Sequence, residues 1–161
     1  MEPIRILAIV GSLRKDSYNR QLAMLAQTAV GERAQFDLLD YSDVPLLNQD
    51  FEYPAPEPMR RVREQVKAAD GIWFFTPEYN HAVPGVLKNL VDWLSRPVSK
   101  EERQVLFGKP AAISGITTGM SGTGIAQDAL VALISLLNMR VMNVPRLTIP
   151  NASQQFNAEG R

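Results

Sequence analysis

The chain has 161 residues, with 17 lysines and arginines against 17 aspartates and glutamates, so its formal net charge is zero. Proteins that bind nucleic acids or membrane surfaces usually carry a basic excess or a polybasic stretch, and the sequence has neither. It has no cysteine and a single histidine, His81, which excludes disulfides, thiolate chemistry and multi-histidine metal sites. We therefore expect no nucleic acid, no membrane and no metal among its partners.

The N-terminal residues read as the start of a folded domain rather than as a targeting segment. The apolar run at residues 4–10 is too short and wrongly flanked for a signal peptide. No stretch approaches the ~20 apolar residues of a membrane span. The length and the 45% hydrophobic content suit one domain, residues 1–161, which we expect to be cytoplasmic.

The first half of the chain alternates apolar runs with a helical pattern. Residues 4–10 are almost continuously apolar, as in a strand buried on both faces of a parallel sheet. Apolar residues then recur at helical spacing up to Gly31, and residues 34–39 predict a second strand. The proline-rich, acidic segment 40–58 has no sustained period and predicts a long surface loop, of the kind that often forms a lid or wall of a functional site.

The second half continues the same alternation of strand and helix. The predicted elements are a helix at 59–69, a strand at 72–76, a helix from Pro84 that ends before Pro97, a strand at 111–116, a helix at 125–138 and a fifth strand at 140–144. This order predicts an α/β fold with a parallel sheet covered by helices. Five strands in a chain of this length favour a flavodoxin-like, doubly wound three-layer sandwich with strand order 2-1-3-4-5 over the larger six-stranded dinucleotide fold.

Ligands of such sheets bind outside the carboxyl ends of the strands, where the strand order reverses. The first loop there, residues 11–17, leads into a helix whose free N–H groups and dipole favour an anion. Ser12, Ser17 and Asn19 add short donors, and Arg14 offers a planar fork to phosphate oxygens. The alternative is that Ser17 only caps the helix and the basic residues are solvated. The loop matches neither Gly-x-Gly-x-x-Gly nor a Walker A sequence, so a phosphate monoester such as that of FMN fits better.

Two further loops flank this site. In the loop that begins at Pro77, backbone N–H groups are candidates to meet the pyrimidine edge of a flavin, with Tyr79 packed nearby. Glu78 is equally well explained as a salt-bridged surface or interface residue, and a lone histidine such as His81 is more often structural or exposed than catalytic. The loop at residues 117–124 is small enough for its backbone to approach a ring system, or it is an ordinary connection.

Two motifs stand out in these loops: GSLRKDSYN at residues 11–19 and TPEYNHAVPGVLKNLVDWLSR at residues 76–96. Both are similar to motifs of the NADPH-dependent FMN reductase family, which includes quinone, chromate and azo-dye reductases, and the order of elements agrees to about residue 145. The resemblance implies a flavodoxin-like domain that binds FMN non-covalently, and a homodimer or homotetramer with the site close to a subunit interface. The residues expected to contact the cofactor are Ser12, Arg14, Ser17 and Asn19 on the phosphate side, Pro77, Glu78, Tyr79 and Asn80 along the isoalloxazine, and Thr117 and Gly119 in the third loop.

The activity implied by this resemblance is that of an NAD(P)H oxidoreductase. NADPH or NADH would reduce the bound FMN, which would pass the electrons to a quinone, chromate, an azo compound or free flavin. Because the flavin carries the chemistry, no side chain is expected to act as a catalytic acid or base. One alternative is a flavodoxin-type electron carrier, although carriers are generally strongly acidic. The other is a flavin-binding regulatory or scaffold protein without turnover, suggested by the absence of an arginine at residues 122–127, where the family usually has one.

Overall fold

The computed structural model of the protein describes residues 3–157 as alternating strands and helices. Within that range, no helix is long and apolar enough to cross a bilayer. The elements are β1 (Arg5–Val10), α1 (Tyr18–Val30), β2 (Gln35–Leu38), α2 (Glu57–Ala68), β3 (Gly71–Phe75), α3 (Gly85–Leu94), β4 (Pro110–Ile116), α4 (Gly124–Leu136), β5 (Arg140–Val141) and β6 (Leu147–Ile149). Short 3-10 turns lie at Gly31–Arg33, Gln49–Phe51 and Ala152–Gln154.

The helix ends follow the glycine and proline signals of the sequence. Gly31 follows α1 with φ of 55°, in the left-handed region that glycine adopts without a steric penalty, and its N–H donates to the carbonyl of Gln27. Helices α2 and α3 begin directly after Pro56 and Pro84, where a missing backbone N–H costs nothing. The predicted helices are therefore confirmed to within two residues at each end.

All strand pairs are parallel, and the order β2-β1-β3-β4-β5 confirms the predicted flavodoxin-like topology. The fifth strand is shorter than the predicted 140–144. Only Arg140–Val141 pairs with the start of β4, and β6 returns to pair with Ser114–Ile116 on the same edge. Pro145 explains the break, because proline has no N–H to donate to the ladder of β4.

The sheet buries apolar residues on both faces, as its continuous apolar strands predict. Along β1, Leu7 and Ile9 pack on one face and Ala8 and Val10 on the other. Helices α2, α3 and α4 cover the first face, while α1 and Ala152 cover the second. This arrangement is the predicted three-layer sandwich, with the helices divided unequally between the two outer layers.

The long segment between β2 and α2 is fixed to α3. The side-chain N–H groups of Asn89 and Trp93 both donate to the carbonyl of Pro45, at 2.9 and 2.8 Å. The Oδ1 atom of Asn89 accepts from the N–H of Leu47 at 2.9 Å. The polar residues of the 76–96 motif therefore hold this segment in place as a wall beside the sheet.

A buried ion pair joins the same segment to the end of α3. Arg96 donates through Nε to Oε1 of Glu52 at 2.6 Å and through Nη2 to Oε2 at 3.2 Å. The Glu52 side chain is only 4% exposed, and the hydrogen bonds from Arg96 hold its pKa below the ordinary value. The adjacent Tyr53 hydroxyl donates to the carbonyl of Pro97 at 2.8 Å, which adds a second connection.

Candidate functional site

The carboxyl ends of β1, β3 and β4 come close together where the strand order reverses. The N–H of Gly11 donates to the carbonyl of Phe75 at 2.7 Å, and a Cβ on Gly11 would lie 3.2 Å from Cδ of Pro77. A Cβ on Gly115 would lie 2.3 Å from the carbonyl oxygen of Thr76, closer than any side chain tolerates. Glycine at these two positions therefore allows the three loops that follow these strands to converge.

The β1–α1 loop carries the donor groups predicted to hold a phosphate. The first backbone hydrogen bond of α1 runs from the N–H of Gln21 to the carbonyl of Ser17 at 3.0 Å, so the N–H groups of the first turn need another acceptor. Ser17 is buried at the N-cap position of α1, but its side chain makes no capping hydrogen bond. The alternative explanation, in which Ser17 only caps the helix, therefore does not apply. The N–H of Arg14 donates to the Ser12 hydroxyl at 3.3 Å, and the exposed Arg14 guanidinium lies 5.7 Å from the Tyr18 ring centroid.

This donor set suits a phosphate monoester. A helix N-terminus favours a negative charge through its dipole and its free N–H groups. The guanidinium of Arg14 matches the geometry of phosphate oxygens, and the Ser17 hydroxyl lies at the same helix end. FMN ends in a phosphate monoester, so the residues of this loop fit that cofactor. Their contact with FMN stays a prediction.

Asn19, predicted as a phosphate donor, has a structural partner as well. It is buried in the first turn of α1, where its Nδ2 donates to the carbonyl of Ile116 at 2.8 Å. Its Oδ1 accepts from the N–H of the same residue at 3.1 Å. The Asn19 side chain therefore joins the phosphate-side loop to the end of β4. Contact of Asn19 with a phosphate stays a prediction.

The β3–α3 loop forms a tight hairpin beside the first loop. Tyr79 and Ala82 exchange backbone hydrogen bonds of 3.2 and 3.0 Å across the two residues between them. Those two residues, Asn80 and His81, have φ of 52° and 58°, as in a type I′ turn. Pro77 is buried behind the hairpin, and the Tyr79 ring is 52% exposed. The loop therefore presents a half-exposed aromatic ring on a hydrogen-bonded hairpin. Contact of Pro77, Glu78, Tyr79 and Asn80 with a flavin stays a prediction.

Glu78 has a structural partner that the sequence did not reveal. Its Oε2 accepts from the N–H of Ala126 in the first turn of α4 at 2.9 Å, and its side chain is 7% exposed. The N-cap residue of α4, Thr123, makes no capping hydrogen bond of its own. The Glu78 carboxylate thus caps α4 from another loop, where the helix dipole favours a negative charge. Its second oxygen lies 3.2 Å from Nδ1 of His81, which is 73% exposed.

The β4–α4 loop is held by the chain that follows β5. The N–H of Thr117 donates to the carbonyl of Ile149 at 3.0 Å, and the carbonyl of Thr117 accepts from the N–H of Ala152 at 2.9 Å. The carbonyl of Gly119 accepts from the N–H of Asn151 at 3.0 Å. These hydrogen bonds fix the backbone of the loop at Thr117 and Gly119. Contact of Thr117 and Gly119 with a cofactor stays a prediction.

Sequence reasoning missed the role of residues 147–152 in this site. The sequence feature that could have indicated a strand here is the short run Leu147–Ile149. Because this run is followed directly by Pro150, it looks like part of an irregular C-terminal segment. Gln127, in the segment that differs from the family pattern, anchors this run. Its buried Nε2 donates to the carbonyl of Leu147 at 2.8 Å and to the Thr123 hydroxyl at 2.9 Å. Residues 147–152 and α4 therefore set the position of the third loop together.

Comparison with known proteins gives consistent results. The family model described as NADPH-dependent FMN reductase matches residues 4–154. The chain is 40% identical over 157 residues to a 2-hydroxy-1,4-benzoquinone reductase of a Burkholderia species, which covers 98% of this chain and 84% of the relative. It is 41% identical over 161 residues to an NAD(P)H-dependent FMN reductase of Pseudomonas aeruginosa, with 99% and 85% covered.

A solved structure is similar over the same range. The flavoenzyme NAD(P)H:(acceptor) oxidoreductase FerB of Paracoccus denitrificans superposes with a TM-score of 0.87 at 34% identity, which covers 98% of this chain and 85% of that one. Fold, loop motifs and relatives agree over nearly the whole described chain. This chain therefore belongs to the NADPH-dependent FMN reductase family.

Proposed function

We propose that the protein is an FMN-dependent NAD(P)H oxidoreductase that reduces quinones and similar acceptors, including chromate, azo compounds and free flavin. The observation that carries this proposal is the uncapped start of α1 beside Ser12, Arg14 and Ser17 at the topological switch point, in a chain of this family. The quinone reductase names of relatives in Burkholderia and Pseudomonas putida support the acceptor class.

The protein would contribute binding and orientation rather than acid–base catalysis. Bound FMN would supply the redox chemistry, accepting reducing equivalents from NAD(P)H and passing them to the acceptor. The start of α1, with Arg14 and Ser17, would hold the phosphate, and the half-exposed ring of Tyr79 would pack beside the flavin. The hydrogen bond from Glu78 to the start of α4 and the hydrogen bonds between Asn19 and the end of β4 would fix the positions of the three loops relative to one another.

A visible spectrum of the purified protein before and after anaerobic addition of NADPH tests this function. We expect a flavin spectrum that NADPH bleaches, and steady-state NADPH oxidation when menadione is added. A protein that neither contains nor binds FMN contradicts the proposal. Bound flavin that NADPH does not reduce favours an electron carrier. Flavin reduction that no acceptor accelerates favours a regulatory or scaffold protein.

The phosphate anchor has a separate test. Replacing Arg14 with alanine removes one charge-assisted contact, and we expect FMN binding to weaken by about 1.5 to 3 kcal/mol, or roughly 10- to 150-fold in the dissociation constant. The measurement is a titration of apoprotein with FMN followed by quenching of flavin fluorescence. Lys100→Ala removes an exposed charge elsewhere and is the matched control. An unchanged dissociation constant for the Arg14 variant would refute its assignment.

We further propose that the chain forms a homodimer or homotetramer. The outer face of α4 carries exposed apolar or small residues at the spacing of one helical stripe: Ile125, Ala129, Ala132 and Leu136. Such a stripe supports packing against a second helix. Sedimentation equilibrium of the wild type and of Ala132→Arg tests this, and a monomeric wild type contradicts it. The cytoplasmic location stays a prediction from the sequence.

A further inference from the structure

The segment that follows β6 runs from the third loop to the start of α1. It includes the 3-10 turn Ala152–Gln154 and reaches Phe156, whose ring lies against Tyr18. We propose that Phe156 is a positioning residue for the FMN phosphate: it supports the ring of Tyr18, which in turn restricts the guanidinium of Arg14. This inference rests on the proposed function and adds a residue of the C-terminal segment to the phosphate anchor.

The first contact joins Phe156 to Tyr18. The two ring centroids are 5.6 Å apart and the ring planes differ by 19°, which is the geometry of a stacked aromatic pair. Both rings are half-buried, and both pack against the core cluster on the α1 face of the sheet. Tyr18 is the first residue of α1, so the ring that Phe156 covers lies at the helix end expected to meet the phosphate.

The second contact joins Tyr18 to Arg14. The Cζ atom of Arg14 lies 5.7 Å from the Tyr18 ring centroid, within the distance of a cation–π interaction. Within residues 3–157, the Arg14 guanidinium has no carboxylate oxygen within 4.0 Å. Its attraction to the Tyr18 ring therefore restricts this exposed side chain. A side chain that is restricted before its ligand binds loses less conformational entropy on binding, which raises the affinity.

Backbone hydrogen bonds fix the other end of the segment to the third loop. The N–H of Ala152 donates to the carbonyl of Thr117 at 2.9 Å. The N–H of Gln155 donates to the carbonyl of Ala152 at 3.1 Å and closes the turn that precedes Phe156. The Phe156 ring is therefore carried by a hydrogen-bonded segment, and it gives Tyr18 a fixed surface to stack on.

A simpler explanation is that Phe156 only covers the core on the α1 face. The two explanations differ in the part of the flavin that they affect. A loss of core packing at the start of α1 would weaken the binding of any flavin. A loss of restriction on Arg14 would weaken only the binding of a flavin that carries a phosphate. Riboflavin, which is FMN without its phosphate, separates the two explanations.

Fluorescence titration of the apoprotein with FMN and with riboflavin tests the proposal. Phe156→Leu keeps an apolar side chain but removes the ring, and we expect it to weaken FMN binding roughly threefold to fivefold. Riboflavin affinity should not change. Phe156→Tyr keeps the ring and should bind FMN as the wild type does. In the Arg14→Ala background, Phe156→Leu should have no further effect, because both substitutions act through the same guanidinium.

Phe107→Leu is the matched control. Phe107 is exposed just before β4, at the opposite end of that strand from the third loop, and Cζ of Arg103 lies 4.3 Å from its ring centroid. The substitution therefore removes an aromatic ring from a similar contact with arginine, away from the three loops. Its FMN affinity should equal that of the wild type.

The results separate failure of the positioning role from failure of the proposed function. An unchanged FMN dissociation constant in Phe156→Leu overturns the role of Phe156. An equal loss of affinity for FMN and riboflavin, or a further loss in the Arg14→Ala background, also overturns it. A wild type that binds FMN but oxidises no NADPH refutes the proposed function, and the titrations still decide the role of Phe156. A wild type that binds no flavin refutes both.

Discussion

Replacing Arg96 with alanine should destabilise the protein, because it leaves the Glu52 carboxylate buried without its partner. The pair is bidentate at 2.6 and 3.2 Å, and the two side chains are 4% and 36% exposed for Glu52 and Arg96. Removing one partner of a buried pair typically costs about 3 to 5 kcal/mol. We expect a loss near the lower limit, about 3 kcal/mol, because the space left by the partly exposed Arg96 admits water.

Urea denaturation followed by circular dichroism measures this loss. With a slope of about 2 kcal/mol per molar urea, the midpoint should fall by roughly 1.5 M. Lys88→Ala breaks the exposed pair with Asp92 and is the control, with an expected loss below about 0.5 kcal/mol. Adding Glu52→Gln to the Arg96 variant removes the unpaired charge and should recover much of the loss.

The effect of Arg96→Ala should also depend on pH, with a sign set by Glu52. The pKa of this carboxyl is lowered in the folded protein from its ordinary value of 4.5, chiefly by the hydrogen bond from Arg96. Its stabilising contribution is therefore present above pH 4.5 and is lost as the pH falls through the folded-state pKa. The difference between wild type and variant should shrink in acid. A difference that is below 1 kcal/mol at pH 7, or that grows in acid, would refute this reasoning.

Four further substitutions test the backbone of the site. His81→Gly should stabilise the protein by about 0.5 kcal/mol and raise the melting temperature by about 1 to 2 °C, because φ of 58° suits glycine; a lower melting temperature contradicts this. Gly115→Ala should lower the free energy of unfolding by about 3 kcal/mol or prevent folding, because the new Cβ would be crowded. Gly119→Ala is the control: its Cβ meets nothing within 4 Å, and its free energy of unfolding should stay within about 0.5 kcal/mol of the wild type. Equal urea midpoints for the two variants would contradict the crowding at Gly115. Asn19→Ala should cost about 3 kcal/mol in urea unfolding, since it leaves two buried backbone groups unpaired, and a neutral effect would exclude its role in joining α1 to β4.

Much of the fold could be predicted because apolar runs and helix-ending residues are local signals. The buried strands β1, β3 and β4 are continuously apolar, and Gly31 and Pro84 mark helix ends. The division of the last strand into β5 and β6 could not be predicted in the same way. This division depends on which segments reach the free edge of β4. The paired segment Leu147–Ile149 has only three residues, too few for a periodic pattern.

The same distinction between local and long-range signals applies to the residues of the site. The positions of Ser12, Arg14 and Ser17 at the start of α1 followed from a strand, a polar loop and a helix in sequence. The partners of Glu78 and Asn19 did not, because they are backbone groups 48 and 97 residues away. A side chain that caps a distant helix or strand end carries no periodic or compositional signature.

The contact between Asn19 and Ile116 also has a kinetic meaning. It closes a loop of 97 residues, and contacts of such separation form late because their chain entropy must be lost before they add stability. The first β-strand and helix leave the ribosome long before β4 is available. A nascent or partly refolded chain therefore has the phosphate-side loop without its fixed relation to the third loop, and the ability to retain a flavin should emerge only in the final stage of folding.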